Sequence, residues 1–378
     1  MAKRPIFEET SAPRPQAPRT AIEAPQGARR AIRAWVALLL AMVVAMVVVG
    51  GITRLSDAGL SITEWQLLTG ALPPLSEADW LAEFARYQQI DQFLIAFPDM
   101  TLEGFKSIYW WEWSHRLLGR LVGVVWALGF VWFWARRQIP AGWTGRLLLP
   151  GLLGGLQGVI GWLMVSSGLT VGDGMIAVAS YWLATHLGLA FLIVAVLGWQ
   201  VMLLGRGEAQ LLQARRGREE RLGQLTSAVL ALVLLQLLLG ALVAGIDAGR
   251  GYTDWPLMGG HFLPPAMMEL QPFWRNFLEN DGTVQFIHRM VAYLLTIAGI
   301  ALWFRSRRSA HVRTRRVHSW LLAALAVQVI LGISTVMQGA PPAWALAHQL
   351  GAVGLWAAIL RARFLALYPI GGTIRRAQ

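Results

Sequence analysis

The 378-residue chain has no cysteine. Disulfides, thiolate nucleophiles, iron–sulfur clusters and cysteine-ligated zinc are excluded together. Charge is also scarce. Only 14% of residues are charged, against 56% hydrophobic, and the mean hydropathy is +0.49. A water-soluble domain of this composition would expose far too much apolar surface, so the bilayer is the natural solvent. Three runs carry no charge at all: Trp35 to Thr53, Leu147 to Ser167 and Leu222 to Ile246. Each is close to or beyond the roughly 20 apolar residues that cross a hydrocarbon core.

The charge that is present is sorted by loop. The net +12 comes largely from clusters between alternate helix pairs: Arg136 and Arg137, then Arg206 to Arg221, then Arg305 to Arg316, with both termini basic as well. The intervening loops are acidic, the first holding Asp57, Glu64, Glu77, Asp79, Glu83, Asp91, Asp99 and Glu103. This positive-inside pattern predicts cytoplasmic (or matrix) termini and long acidic loops outside. It assigns the basic runs to orientation and to membrane lipid headgroups, with no nucleic acid as partner. Residues 1–32, rich in Pro, Ala and Arg, read as a disordered cytoplasmic tail. They do not read as a cleaved signal peptide, because the first apolar stretch is long enough to span.

Hydropathy predicts spans near 33–53, 108–135, 145–166, 176–204, 223–246, 283–304, 318–338 and 343–365, with ends uncertain by about 2–4 residues. Mixed apolar and charged spacing over Glu77 to Ile95 predicts a helix lying at the interface.

The chain then repeats itself. Thr63-Glu64-Trp65-Gln66-Leu67 before Pro73-Pro74 is echoed by Thr253-Asp254-Trp255-Pro256-Leu257 before Pro264-Pro265. Trp113-Ser114-His115-Arg116 is echoed by Phe286-Ile287-His288-Arg289, and Gln157 to Gly161 by Gln328 to Gly332. The fourth and eighth spans each hold one histidine, His186 and His348. The expected fold is therefore an all-α integral membrane protein of eight transmembrane helices, arranged as two tandem four-helix bundles. An even number of helices per repeat relates the halves by a pseudo-twofold along the membrane normal. The halves are 33–204 and 223–366, joined by a cytoplasmic linker, 205–222, and followed by a cytoplasmic tail, 367–378.

Seven histidines are present. His311 and His318 fall in or beside a basic cytoplasmic segment and are expected to be solvated or at the headgroups. His261 lies in an outside Gly-rich loop and takes a structural role by default. His115, His186, His288 and His348 lie inside spans. One intramembrane histidine is often only an interhelical hydrogen bond. Four, one per helix and at matching places in two repeats, point to function. Zinc sites gather three or four ligands closely, whereas each half here offers two imidazoles on two helices. That donor set suits the two axial positions of a haem iron. All four are expected within the first three turns of their spans, about 7–16 Å from the outer end.

Arg116, Arg120 and Arg289 follow these histidines and belong to no loop or tail. They are candidates for haem propionate binding or for tuning of haem potential. For Arg116 the alternative is an i, i+4 pair with Glu112. Glu112 is the one carboxylate placed inside a span, and it shares a helix face with His115. The second half has neutral Gln285 at that position. A buried carboxylate beside a metal centre is a candidate proton donor or acceptor, the alternative being simple neutralisation of Arg116. The first half (33–204) is therefore read as catalytic, and the second as holding a haem for electron transfer or structure.

Together these residues resemble the haem A synthase family, from Trp35 to about Leu365. The resemblance rests on Gly50-Gly51-Ile52-Thr53-Arg54-Leu55-Ser56, the Thr-Glu-Trp stretch, Glu112-Trp113-Ser114-His115-Arg116, the Thr253-Asp254-Trp255-Pro256 stretch, and the two later histidines. It implies a membrane haem-dependent oxidoreductase that converts haem O to haem A. The C8 methyl would be oxidised to a formyl group through two hydroxylations and loss of water. It further implies that His115 and His186 bracket the substrate haem beside Glu112, and that His288 and His348 ligate a haem b. Implied partners are a haem O synthase, cytochrome oxidase assembly factors and an unidentified electron donor. The implied location is a bacterial inner membrane, or the mitochondrial inner membrane in a eukaryote. Many bacterial members carry cysteine pairs in the outside loops; this chain has none, as in the proteobacterial and mitochondrial branch. Two rivals are a dihaem b-type cytochrome passing electrons from quinol, and a parallel-repeat transporter. The first leaves Glu112 unexplained. The second predicts Gly/Pro-broken helices at mid-membrane, which the spans lack.

Overall fold

The computed structural model of the protein describes residues 26–67 and 69–370. In chain order the helices are α1 (Gln26–Leu55), α2 (Glu77–Tyr87), α3 (Leu102–Ala135), α4 (Thr144–Ser166), α5 (Ser180–Leu204), α6 (Glu208–Arg216), α7 (Glu220–Gly245), α8 (Asn276–Glu279), α9 (Asp281–Ser306), α10 (Val312–Met337) and α11 (Pro342–Leu367). Eight of them, all except α2, α6 and α8, are long and apolar enough to cross a membrane. The chain is a multi-pass, all-α membrane protein.

Several boundaries move from their expected places, each for a local reason. Helix α1 starts at Gln26, inside the stretch read as a disordered tail. Its Arg29 donates to the carbonyls of Leu203, Leu204 and Arg206 at the end of α5, where a helix has carbonyls to spare and favours a cation. The remainder of the expected tails, 1–25 and 371–378, lies outside the described residues. The linker 205–222 contains α6, with the Gly207 N–H bonded by Gln210. Helix α3 starts at Leu102, not near 108, with Thr101 capping the Gly104 N–H. Its extra turns bury Phe105 and Tyr109 among Tyr87, Ile90 and Phe93. The interfacial helix expected over 77–95 stops at Tyr87; a π-helical turn follows at Gln92–Ala96. Helix α2 opens with a reciprocal cap between Ser76 and Asp79, worth about 1 kcal/mol.

Within the bilayer, tryptophan donors are spent on neighbouring helices. Trp35 donates to the Val125 carbonyl (3.0 Å), Trp126 to Leu147 (3.0 Å) and Trp356 to Phe191 (2.9 Å). Gly129 and Gly151 lie directly under the Trp35 and Trp126 rings, where any Cβ would collide with the indole. Small residues at such crossings let helices approach when lipid offers no hydrophobic drive.

The halves meet where α5 packs on α7, α1 on α11 and α5 on α11. Across this seam Gln349 donates to the Val47 carbonyl at 2.7 Å. At the outer end, Asp57 and Asp247 both take positive φ (52° and 53°) just after α1 and α7, each opening an Asp-Ala-Gly triplet. Arg54 sits between them, 3.2 Å from Asp57 and 3.0 Å from Asp247, and donates to the Ala244 carbonyl. Burial pushes the Asp57 carboxyl above the ordinary aspartate value, and Arg54 opposes that shift.

Candidate functional site

The structure brings the four intramembrane histidines into two pairs. His115 (α3) and His186 (α5) are close enough to interact electrostatically, and so are His288 (α9) and His348 (α11). Among the described residues no three His, Asp or Glu side chains gather as a compact metal site. Because α3 starts early, His115 lies about 20 Å along its helix, whereas His186, His288 and His348 lie about 9–11 Å along theirs. The extra length of α3 carries the aromatic cap formed with α2 and the π-turn above the first pair. Asp91 ties that cap down by accepting from Gly172 and Gly174 (3.0 and 2.8 Å).

Each imidazole stands over a glycine of the adjacent helix. A Cβ placed on Gly50 would lie 2.8 Å from His115 Cε1; on Gly161, 2.9 Å from His186; on Gly240, 3.1 Å from His288; on Gly332, 2.9 Å from His348. No real Cβ sits at most of those distances, so an alanine would displace the ring. Three glutamines one turn earlier on the same helices fix the crossing. Gln157, Gln236 and Gln328 donate to the main-chain carbonyls of His186, His288 and His348 at 2.9, 3.0 and 2.9 Å. The sequence shows this device as Gln157-x-x-x-Gly161, Gln236-x-x-x-Gly240 and Gln328-x-x-x-Gly332. Comparison of the two halves exposed only the first and third as a matching pair. The second becomes visible only when adjacent helix pairs within one half are compared as well.

The rings fit an external metal centre in one further respect. Nδ1 of His115 and Nδ1 of His186 are buried without a hydrogen-bond partner. Buried polar atoms normally have one, so these two nitrogens are open to a group other than the described side chains. In the second half the amide nitrogens of Gln236 and Gln328 lie 3.1–3.4 Å from ring nitrogens.

Glu112 is buried, 3% exposed, and both carboxyl oxygens are engaged. Oε2 accepts from the Ser61 hydroxyl (2.7 Å) and the Ile62 N–H (2.9 Å). Oε1 accepts from Arg116 Nε (3.0 Å) and Nη2 (2.6 Å). The i, i+4 pair considered for Arg116 is thus present. Arg116 also donates to the carbonyls of Ile62 and Glu64, and Arg120 to those of Gln66 and Leu67. The second half repeats this scaffold. Arg289 donates to the carbonyls of Tyr252, Asp254 and Leu257, and Gln285 to that of Tyr252. The three arginines therefore pin the two Thr-acid-Trp loops over the histidines. Of these three arginines only Arg120 keeps a nitrogen, Nη1, buried without a partner among the described residues. It borders a cavity of about 380 Å³ shared with Arg116, Arg86, Glu64, Gln66 and Tyr109.

Two histidines outside the pairs behave differently from each other. His318 is not solvated. It is 1% exposed, with Nε2 3.2 Å from Thr226 Oγ1 and Nδ1 2.8 Å from the Thr314 carbonyl. Helix α10 begins at Val312, which turns His318 inward onto α7 instead of out to the headgroups. His261 pairs its backbone with Met258 in the second outside loop, in keeping with a structural role. In the same loop the N–H groups of Gly260 and Gly259 hold the Asp254 carboxyl below the ordinary aspartate range. A depressed folded value contributes stability above the unfolded value and loses it as pH falls through the folded one. Limited proteolysis of the loop 247–280 should therefore stay slow at mildly acidic pH and quicken only below the usual carboxylate range. Asp254→Asn should make it quick at every pH.

The family described as Cytochrome oxidase assembly protein (COX15-CtaA) matches residues 33–360. A protein named Heme A synthase from Ruegeria pomeroyi is 59% identical, the alignment covering 99% of each chain. Proteins of the same name from Paracoccus denitrificans and Cereibacter sphaeroides are 55% and 52% identical, covering 99% of this chain and 100% and 98% of theirs.

Proposed function

The chain belongs to the COX15-CtaA family of cytochrome oxidase assembly proteins, and from that premise we propose that it is an oxidoreductase that converts haem O to haem A. The carrying observation is the paired imidazoles, each over a glycine, with buried unpartnered Nδ1 atoms in the first pair. In this reading His115 and His186 hold the substrate haem, and His288 and His348 hold a resident haem b. The resident haem, when bound, supplies one-electron redox chemistry.

The chain's own residues bind, orient and move protons. The loop held by Arg116 and Arg120 covers the substrate pair from outside, and the α2 cap above it limits water. Arg120, with its free Nη1 at the cavity, suits a substrate propionate; Arg116 and Arg289 mainly hold their loops. Each hydroxylation of the C8 methyl, with dioxygen as oxidant, takes up two electrons from a separate donor and two protons and releases one water; the gem-diol left by the second loses water to give the formyl. Glu112 can hand on such a proton and be recharged through the Ser61 hydroxyl, which donates to Oε2 and can rotate to accept the next. Gln285 cannot do this, which makes the first half the reacting half. The two bundles, 33–204 and 223–366, are then a catalytic and a redox half related by the pseudo-twofold.

The location consistent with this reading is the bacterial inner membrane with both termini cytoplasmic, which places both haem pairs towards the outer leaflet. A haem O synthase supplying substrate, oxidase assembly factors receiving product, and a separate electron donor complete the scheme. Pigment extraction from protein made with a haem O supply tests it. Haem A or its alcohol precursor is the expected result. Haem b alone would support an electron-passing cytochrome instead.

A further inference from the structure

The glycine cradle occurs at four histidines, but the glutamine clamp occurs at three. One turn before Gly161, Gly240 and Gly332 stand Gln157, Gln236 and Gln328; one turn before Gly50 stands Met46. The register is the same, and so is the place in space. Met46 Cε lies 3.5 Å from where a Cβ on Gly119 would be, and the Gly119 N–H is the helical partner of the His115 carbonyl. A glutamine there would reach that carbonyl, as the other three reach theirs. A methionine has no donor, and its thioether is flexible and adapts to irregular space. His115 is therefore the one imidazole of the four whose own main-chain carbonyl receives no side-chain hydrogen bond from the helix that cradles it, the α1–α3 crossing being held elsewhere, by Trp35 and Thr53.

We propose that Met46 is a specificity-determining residue that makes the His115 position the yielding side of the substrate site. A substrate macrocycle must enter and its product must leave, whereas a resident haem must stay. Three clamped imidazoles and one unclamped one match that division, with the unclamped ring on the side that also carries Glu112. The inference rests on the assignment of His115 and His186 to the substrate.

The test measures macrocycle exchange, independently of turnover. Full-length protein loaded with haem b and haem O is mixed with excess apomyoglobin, and each pigment's transfer is followed by its spectrum. In wild type, haem O should leave faster than haem b. Met46→Gln should slow haem O transfer about three- to tenfold, the scale of one added hydrogen bond, and leave haem b transfer unchanged. Gln236→Met should speed haem b transfer by a similar factor. Met46→Leu, close in volume but without a donor, should behave as wild type. The proposal is overturned if Met46→Gln loads haem O with a normal spectrum yet exchanges at the wild-type rate. It is equally overturned if Met46→Leu slows exchange as much as Met46→Gln does. His115→Ala separates this from the reading beneath it: normal haem O loading in that variant removes His115 as a ligand, whatever the exchange rates show.

Discussion

Glu112→Gln is expected to cut haem A formation by about 10²- to 10⁴-fold, the range associated with a lost general acid or base. The substitution is chosen because the second half already carries it. Gln285 sits at the matching position and bonds the Tyr252 carbonyl of its own loop, so a glutamine is compatible with this scaffold. At position 112 it keeps size and one acceptor for Ser61 and Ile62. It cannot accept the proton, and it leaves Arg116 facing a neutral amide. Weakening that buried contact costs about 1–3 kcal/mol, which bears on the loop more than on the helices. Haem b content should therefore stay at the wild-type level while haem A disappears from the extracted pigment. Wild-type haem A formation by this variant would return Glu112 to a purely structural role.

His288→Ala should remove haem b altogether and stop turnover, while the first pair still binds haem O. His348 alone offers one axial donor, and the ring lost is the one over Gly240 that Gln236 positions. The expected absorbance is that of a single macrocycle per chain. A variant that retains its full haem b would show that His288 is not a ligand. The mirror variant, His186→Ala, should keep haem b and lose haem O binding, which separates the two sites in one pair of experiments.

Much of this was legible in the sequence because it depends on period and position. Apolar runs long enough to cross a bilayer marked all eight spans, and the repeated Thr-acid-Trp and His-Arg pairs marked the four histidines. What was not legible depends on contacts between distant segments. The start of α1 at Gln26 follows from carbonyls of α5 about 175 positions away. The outward extension of α3 follows from a buried aromatic cluster shared with α2. His318 reads as a headgroup residue from its basic neighbours, and only the facing Thr226 shows it to be interior. Arg54 looks like one more loop arginine until Asp57 and Asp247 are seen on either side of it. The glycine cradles were hidden because glycine is common in membrane helices; the histidine above each gives it meaning.

The propionate reading of the arginines divides on the same ground. Sequence position makes Arg116, Arg120 and Arg289 equivalent. The structure separates them by how many donors their loops already consume. Arg116 and Arg289 are occupied by loop carbonyls and, for Arg116, by Glu112, while Arg120 keeps one buried nitrogen free beside the cavity.

The most direct test is a density map of the haem-loaded protein at side-chain resolution. The account predicts two macrocycles per chain, one with its iron between His115 and His186, the other between His288 and His348. Iron bound by one histidine from each half, or a chain whose first pair never contacts a macrocycle, would contradict it.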